Sequence, residues 1–288
     1  MATLRTKHRR NKRMERRILR PIAVVAAVVA AVVAAVAAVV VPVAMKPAAA
    51  QLLPDDPAAG RTSPYATCMQ LARSQPRKGL KNALAWQSRG GGDGARHCAA
   101  IAKLGLGEHE TAAKEIETLA WSLPGETPNA VRAQLLAQAG QIWLEARRPR
   151  EADALLSAAV DLAPRDPEIR VDRAMALAAA GRYQDAIVDL SAAIVLDDRS
   201  ADALVLRASA YRQTDRIPAA LADVERALGL EPGHAEALLE RGLLRRLTGD
   251  EAGATTDWLE IVRLHPGRPA AIVARRYLEQ PDQIPQQR

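Results

Sequence analysis

The chain has 288 residues and a formal net charge of +7, but the excess positive charge belongs to its first residues. Residues 1–20 hold nine Lys or Arg and one acid, whereas from Gln51 onward 30 basic residues face 32 acidic ones. A near-neutral body of mixed charge excludes the electrostatic footprint of a nucleic-acid-binding protein. The 33 Arg against 7 Lys, together with abundant Ala, indicate a GC-rich bacterial source.

The N-terminal segment is typical of an export or anchor signal. Ile22 to Val41 is a run of 20 apolar residues, nearly all Ala and Val, that directly follows the basic leader. A run of this length is long enough to span a bilayer. Ala48 to Ala50, followed by Gln51, is a small-residue run of the kind that signal peptidase cuts. We interpret residues 1–50 as a signal peptide cleaved near Ala50 or as a retained membrane anchor.

Both alternatives place the body of the chain outside the cytoplasm, because basic residues beside an apolar segment stay inside. We therefore expect a periplasmic protein that is soluble after cleavage, or one anchored in the inner membrane with its body facing the periplasm. Membrane contact is expected only through the N-terminal segment. Met14 could open a shorter leader, and Arg16-Arg17 resembles a twin-arginine export signal only weakly. Residues 51–64 are a Pro-rich linker.

A period of 34 residues runs through the second half of the chain. A turn residue recurs at that interval, with a leucine two positions before each: Pro164, Asp198, Pro232 and Pro266. Two columns of small residues, 12 positions apart, follow the same interval: Gly140, Ala174, Ala208 and Gly242, then Ala152, Ala186, Ala220 and Ala254. A fixed period of this length is typical of a solenoid, in which each unit buries its apolar face against its neighbours.

Each unit reads as two helices. Apolar and small side chains share one face of residues 135–144 and again of residues 152–160, and Pro149 lies in the break between them. Pro164 ends the second helix because proline lacks an amide donor and disfavours helix in the residue before it. The small columns predict that the two backbones approach closely, since only short side chains leave room for that.

This unit resembles the tetratricopeptide repeat, a helix-turn-helix of 34 residues. The resemblance covers four units, at 133–166, 167–200, 201–234 and 235–268. Residues 65–127 read as divergent units, 269–280 as a capping helix and 281–288 as a disordered tail. The implied fold is all-α: a right-handed superhelical solenoid of five to six helix-turn-helix repeats plus the C-terminal capping helix. The aromatic residue that the family favours on the second helix is kept only at Trp258.

A charged column has the same interval. Three arginines each precede an aspartate by 16 residues: Arg173, Arg207 and Arg241 before Asp189, Asp223 and Asp257. That spacing places each pair on the facing helices of one unit. We interpret the pairs as ion pairs that fix the angle between the helices; a ladder of charges that binds a ligand is the alternative.

Cys68 and Cys98 are the only cysteines of the chain. An even number in an exported protein favours a disulfide. In the register of the repeats both residues lie on first helices of adjacent units. We therefore predict that they are bonded, with two buried free thiols as the alternative.

The sequence contains no recognisable catalytic or metal-binding motif. None of the five histidines pairs with another histidine or a carboxylate at ligand spacing. The glycine-rich residues 90–94 lack the Gly-Lys-Ser/Thr of a phosphate-binding loop, and no nucleophile elbow or dinucleotide fingerprint occurs. We expect no enzymatic activity, no metal and no cofactor.

The family resemblance implies that the first helices line a concave groove that binds peptides or partner helices. By register the groove residues are Val171, Met175, Val205, Ser209, Arg212, Leu239, Leu243 and Arg246. Their apolar members predict a partner segment with an apolar face, unless the chain's own linker or closing helix fills the groove. The column that holds a C-terminal carboxylate in chaperone-binding members is here Gln138, Asp172, Leu206 and Glu240. Without a cation there, that clamp is not expected.

These patterns predict a non-catalytic scaffold or adaptor of the bacterial cell envelope that binds another protein. Two alternatives remain. One is a structural component of a secretion or polysaccharide-export assembly, and the other is a holding chaperone for exported chains. The sequence does not indicate the partner or the oligomeric state.

Overall fold

The computed structural model describes residues 63–279, which form thirteen helices and no strand. In chain order the helices are α1 (Pro64–Ser74), α2 (Pro76–Gln87), α3 (Gly92–Gly105), α4 (His109–Ser122), α5 (Asn129–Glu145), α6 (Pro149–Leu162), α7 (Pro167–Ala179), α8 (Tyr183–Leu196), α9 (Ala201–Gln213), α10 (Ile217–Leu230), α11 (Ala235–Leu247), α12 (Glu251–Leu264) and α13 (Pro269–Glu279). None of these thirteen helices is long and apolar enough to cross a bilayer. The predicted signal or anchor, nearly all of the linker and the tail lie outside the described residues.

The helices stack in pairs. Each odd-numbered helix up to α11 packs against the even-numbered helix that follows it, and each pair packs against the next pair. The first helices of neighbouring pairs also touch directly, α5 with α7, α7 with α9, and α9 with α11. Contacts therefore pass from neighbour to neighbour along one stack, which is the all-α solenoid that the sequence predicts.

The turn inside each pair uses one backbone conformation at a fixed position. Arg147, Gly181, Asp215 and Gly249, 34 residues apart, all have positive φ, at 59°, 76°, 58° and 89°. Glycine adopts this left-handed conformation without strain, whereas a side chain makes it unfavourable. The sequence does not reveal this column, because two of its four members are not glycine.

The first helices of the last three repeats, α7, α9 and α11, are each capped at their start by a side chain. Asp166 Oδ1 accepts hydrogen bonds from the amides of Glu168 and Ile169, at 2.9 and 3.3 Å, ahead of α7. Ser200 and His234 hold the same position in the next two units. Ser200 Oγ and His234 Nδ1 each accept a hydrogen bond from a backbone amide, at 3.2 Å in both cases. These bonds satisfy amides that the helix itself leaves without a partner.

The small column marks where the two helices of a pair meet most closely. A Cβ atom added to Gly140 would lie 2.6 Å from Leu156 Cγ, and one added to Gly242 would lie 2.3 Å from Trp258 Nε1. The predicted close approach is therefore confirmed. The large side chain of the second helix fills the space that the missing side chain of the first helix leaves.

Helix α13 occupies the position that the first helix of another repeat would have. It packs on α11 and α12, and its Tyr277 ring lies 5.2 Å from the ring of Trp258. At the small-column position, however, α13 carries the exposed Arg276. A following second helix could not approach as closely there, because the arginine side chain would occupy its place.

The Arg–Asp column forms the predicted ion pair within each of the three units that carry it. Arg207 donates to Asp223 from Nε and Nη2, at 2.7 and 2.8 Å, and the other two pairs have the same two-bonded geometry. The aspartates are nearly inaccessible, with 0% to 6% of their surface exposed. Arg207 also donates to Ser191 Oγ, and Arg241 to Glu225, on the preceding second helix. The arginines thus join neighbouring units as well as the helices of one unit.

The predicted disulfide is present. Cys68 on α1 and Cys98 on α3 are bonded at 2.01 Å, with their Cα atoms 6.1 Å apart, and both side chains are fully buried. The bond closes a separation of 30 residues, which on the chain-entropy model stabilises the fold by about 3–4 kcal/mol. It joins first helices of adjacent pairs in the part of the chain where the repeat pattern is weakest.

The close approach predicts opposite effects for one substitution at two glycines. Gly242→Ala should destabilise the fold by about 1–3 kcal/mol, because the added methyl overpacks against Trp258. Gly229→Ala, in α10 with nothing within 4 Å of the added Cβ, should stabilise it by about 0.5–1 kcal/mol, because alanine favours helix. Denaturant unfolding of both variants measures the difference. A stable Gly242→Ala would contradict the packing described here.

The buried ion pairs predict a strong asymmetry between single and double substitutions. Arg207→Leu should destabilise the protein by about 3 kcal/mol or more, since it leaves the Asp223 carboxylate buried without its partner. Arg207→Leu combined with Asp223→Leu should recover most of that loss. Arg263→Leu, whose pair with Glu260 is exposed, is the control and should change the unfolding midpoint little. Equal losses in the single and double variants would rule out this account.

Candidate binding groove

The eight predicted groove residues lie on three successive first helices. Helix α7 carries Val171 and Met175; α9 carries Val205, Ser209 and Arg212; α11 carries Leu239, Leu243 and Arg246. Val205 is 8% exposed, and the other seven are of intermediate exposure. The valines and leucines among them pack against one buried cluster. The groove floor is therefore an apolar surface that is part of the core and still reaches solvent.

Polar side chains connect neighbouring first helices beside this floor. Gln141 Nε2 on α5 donates to Asp172 Oδ2 on α7 at 2.8 Å. Arg212 on α9 donates to both carboxylate oxygens of Glu240 on α11, at 2.5 and 3.3 Å. Asp172 and Glu240 are each 7% exposed. In the sequence, Asp172 and Glu240 indicated only that the clamp for a C-terminal carboxylate is not expected. In the structure they are buried groups that link neighbouring repeats.

A third polar network lies at the N-terminal end of the stack. The Tyr65 hydroxyl is 2.8 Å from His97 Nδ1, and His97 Nε2 is 2.6 Å from Gln138 Oε1. Burial lowers the pKa of His97 to about 4, so the imidazole is neutral and can donate from Nε2 while it accepts at Nδ1. His97 therefore joins α1, α3 and α5, and its place beside Cys98 needs no catalytic or metal role. Within residues 63–279 no cluster of metal-ligating side chains occurs.

The environment of Asp172 strongly favours its protonated form. Burial raises its pKa from 3.8 to about 7; the hydrogen bond from Gln141 opposes this rise, and the nearby Glu168 and Asp166 add to it. The carboxyl group of Asp172 therefore holds its proton to a much higher pH than an exposed aspartate does.

Tyr277 extends the groove beyond the last complete repeat. It lies 34 residues after Leu243, so α13 presents it at the position of a groove residue. Burial raises the pKa of its hydroxyl, although the nearby Arg212 opposes that rise. The closing helix thus lengthens the layer of first helices at its C-terminal end.

One edge of the groove is acidic. At the N-terminal ends of α7, α9 and α11 stand Glu168, Asp202 and Glu236, one per repeat. His234 lies between two of them, with Nε2 3.1 Å from Asp202 and Nδ1 3.6 Å from Glu236. Burial lowers the pKa of His234, but the hydrogen bond and charge of Asp202 outweigh that effect and raise it. Acids at these positions also stabilise the helices through the helix dipole.

Comparison with known proteins agrees with this architecture. The model of the tetratricopeptide repeat family matches residues 137–203 and 205–269. Residues 137–269 of this chain belong to the tetratricopeptide repeat family. No curated protein sequence matches it.

Solved structures of other repeat proteins have the same fold. PilF of Pseudomonas aeruginosa has a TM-score of 0.56 at 16% identity, covering 75% of this chain and 97% of its own. A structure of MamA has a TM-score of 0.50 at 19% identity, covering 62% and 97%. MamA of Desulfovibrio magneticus RS-1 has a TM-score of 0.50 at 16% identity, covering 60% and 98%. At these identities the similarity shows the fold alone.

The polar links between repeats were missed because they do not follow the repeat period. Gln141 and Asp172 are 31 residues apart, and Arg212 and Glu240 are 28 apart, whereas the period is 34. The sequence did contain one indication of these links, since Asp172 and Glu240 are carboxylates in a column that lies against the core. A buried carboxylate requires a partner. The sequence therefore indicated a contact at these two residues, but not which residue makes it.

The raised pKa of Asp172 predicts a stability that depends on pH. Between about pH 4 and pH 7 the folded state holds a proton that the unfolded state has released, so the free energy of unfolding falls as pH rises. Asp172→Asn should remove this fall and make the protein more stable than the wild type at pH 8. Thermal unfolding from pH 4 to pH 8 tests this, with the exposed Asp198→Asn as control. An unchanged pH profile in Asp172→Asn would contradict the prediction.

Proposed function

We propose that this repeat protein is a non-catalytic adaptor that binds a segment of another protein in the groove of its first helices. The observation that carries the proposal is the apolar floor, where Val171 and Met175 on α7 and Leu239 and Leu243 on α11 remain only partly buried, with the nearly buried Val205 on α9 between them. Apolar side chains that reach solvent along one layer of helices favour a partner with a matching apolar face.

The charges beside the floor indicate the chemistry of that partner. The acidic edge, Glu168, Asp202 and Glu236, favours lysine or arginine beside the partner's apolar face. Arg212 and Arg246, the two cations among the groove residues, are already paired with Glu240 and Glu251. A partner that presents a free carboxylate would therefore meet acids and engaged arginines. An amphipathic helix or extended segment with basic side chains fits the groove best.

We further propose that the adaptor acts in the bacterial cell envelope. The support is the basic leader and the apolar run from Ile22 to Val41, which lie outside the described residues. Cleavage near Ala50 would release the repeats into the periplasm, and retention would hold them at the inner membrane.

A second candidate function is supported by the outer side of the stack. On α8, Val188 is 68% exposed and Val195 is 84% exposed, seven residues apart on one face of the helix. Exposed apolar side chains on a second helix favour permanent contact with another subunit. In that case the protein would be a structural component of an envelope assembly, and the groove would not be its main interface.

Site-specific photo-crosslinking in living cells distinguishes these functions. A photoreactive amino acid is placed at Met175 or Leu243 in the groove, or at Val188 or Val195 on α8 as matched outer positions. We expect one protein to be crosslinked from both groove positions and not from α8. Substituting Asp202→Asn and Glu236→Gln should weaken that adduct, because it removes charge from the acidic edge.

The other outcomes contradict the proposal in different ways. One protein crosslinked from Val188 and Val195 alone would favour the assembly component. Adducts with many unrelated polypeptides from Met175 and Leu243 would favour a holding chaperone for exported chains. A groove adduct that is unchanged by the two charge substitutions would keep the adaptor and reject a basic partner.

A further inference from the structure

The charge of the described residues is unevenly distributed along the stack. Residues 63–92 contain five cations and no Asp or Glu, whereas residues 93–279 contain 23 basic and 29 acidic residues. The five are Arg73, Arg77, Lys78, Lys81 and Arg89. The positive end is also the end that follows the predicted linker and apolar segment.

Most of these cations share the outer face of α2. Helix α2 buries Gly79 and Ala83 against its neighbours, and residues 77, 81, 84 and 88 form a stripe on the opposite side. Arg77 and Lys81 are exposed on this stripe, and Leu84 between them and Ser88 is 52% exposed. Lys78 and Ala85 flank the stripe, and Arg89 follows the helix. We call Arg77, Lys78, Lys81, Leu84, Ala85 and Arg89 the α2 patch.

The fold gives no reason for cations at these positions. Arg77 and Lys78 lie in the first turn of α2, which contains no acid. A cation at the N-terminus of a helix opposes the helix dipole, so these two residues weaken the helix that carries them. The stretch from residue 63 to residue 92 also offers no carboxylate with which they could pair. A charge arrangement that costs stability in the folded chain favours a role outside it.

We propose that the α2 patch lies on anionic lipid headgroups at a membrane surface. Cations placed around exposed apolar side chains on one helix face are typical of surfaces that rest in the headgroup region. The patch is convex, being one face of a single helix at the end of the stack, and so fits a broad surface. This contact is additional to the N-terminal membrane segment that the sequence predicts.

The chain between the two membrane contacts has a suitable length. Residues 42–62, 21 in number, separate the predicted apolar segment from the start of the described stack. A chain of that length spans at most about 70 Å when fully extended. The patch therefore stays within that distance of the membrane whenever the anchor is retained.

Lysine reactivity tests this contact in the protein as it is isolated from cells. The full chain is combined with nanodiscs of phosphatidylcholine, or of phosphatidylcholine and phosphatidylglycerol in equal parts, and the rate of lysine acylation is followed by mass spectrometry. Lys78 and Lys81 report on the patch, and the exposed Lys114 on α4 is an internal reference. We expect both patch lysines, and not Lys114, to react several times more slowly on anionic nanodiscs, and high salt should abolish the difference.

Two paired variants distinguish the effect of the α2 patch on membrane binding from the effect of the protein's net charge. Arg77→Gln with Arg89→Gln keeps both lysine reporters and removes two cations of the patch. Each cation near an anionic surface contributes about fivefold to binding, so this variant should bind anionic nanodiscs about 25-fold more weakly. Arg199→Gln with Arg263→Gln, at exposed positions in the acidic part of the chain, removes the same charge and should have little effect.

Three results would overturn the proposal. The first is equal protection of Lys78 and Lys81 on both kinds of nanodisc. The second is equal weakening by the two paired variants, since the effect would then come from net charge. The third is protection by an acidic protein or a nucleic acid without protection by phosphatidylglycerol. All three are independent of the groove, because Met175→Glu and Leu243→Glu lie far from α2 along the stack and should leave lysine protection unchanged.

Discussion

The close contact between a small residue on the first helix and a large one on the second is the constraint on which the stack depends. Gly140 under Leu156 and Gly242 under Trp258 bring two helices together so closely that no further atom fits between them. The buried Arg–Asp pairs then fix the angle of each helix pair and link it to its neighbour. On α13 the exposed Arg276 stands at the position of the small residue, so a second helix could not pack on α13 as closely as in the repeats.

The candidate groove follows from that packing. Because the second helices occupy one side of each first helix, the other side is left to form a continuous layer with the next first helix. Its floor is apolar since it belongs to the core, and the polar links Gln141–Asp172 and Arg212–Glu240 hold neighbouring repeats together beside it. Asp172 also makes the stability of this layer depend on pH, because burial raises its pKa to about 7.

The two ends of the molecule differ in charge and so in the surfaces that they suit. The N-terminal pair is basic and is stapled by the disulfide between Cys68 and Cys98. The repeats that follow carry more acids than bases and present the acidic edge of the groove. This difference in charge is the basis on which we propose a negatively charged surface for one end and a basic partner for the other.

The sequence by itself determined the repeat unit, its helices, the small columns, the Arg–Asp pairs and the disulfide. These features recur at a fixed interval or rest on pairwise chemistry, so each can be read without knowing how one unit rotates against the next. Only the tertiary structure decided which side chains meet between repeats, because that depends on the rotation. Asp172 thus meets Gln141, Glu240 meets Arg212, and His97 joins Tyr65 to Gln138. The left-handed turn at Arg147 and Asp215 was likewise decided by the closure of each helix pair, since neither residue favours that conformation by itself.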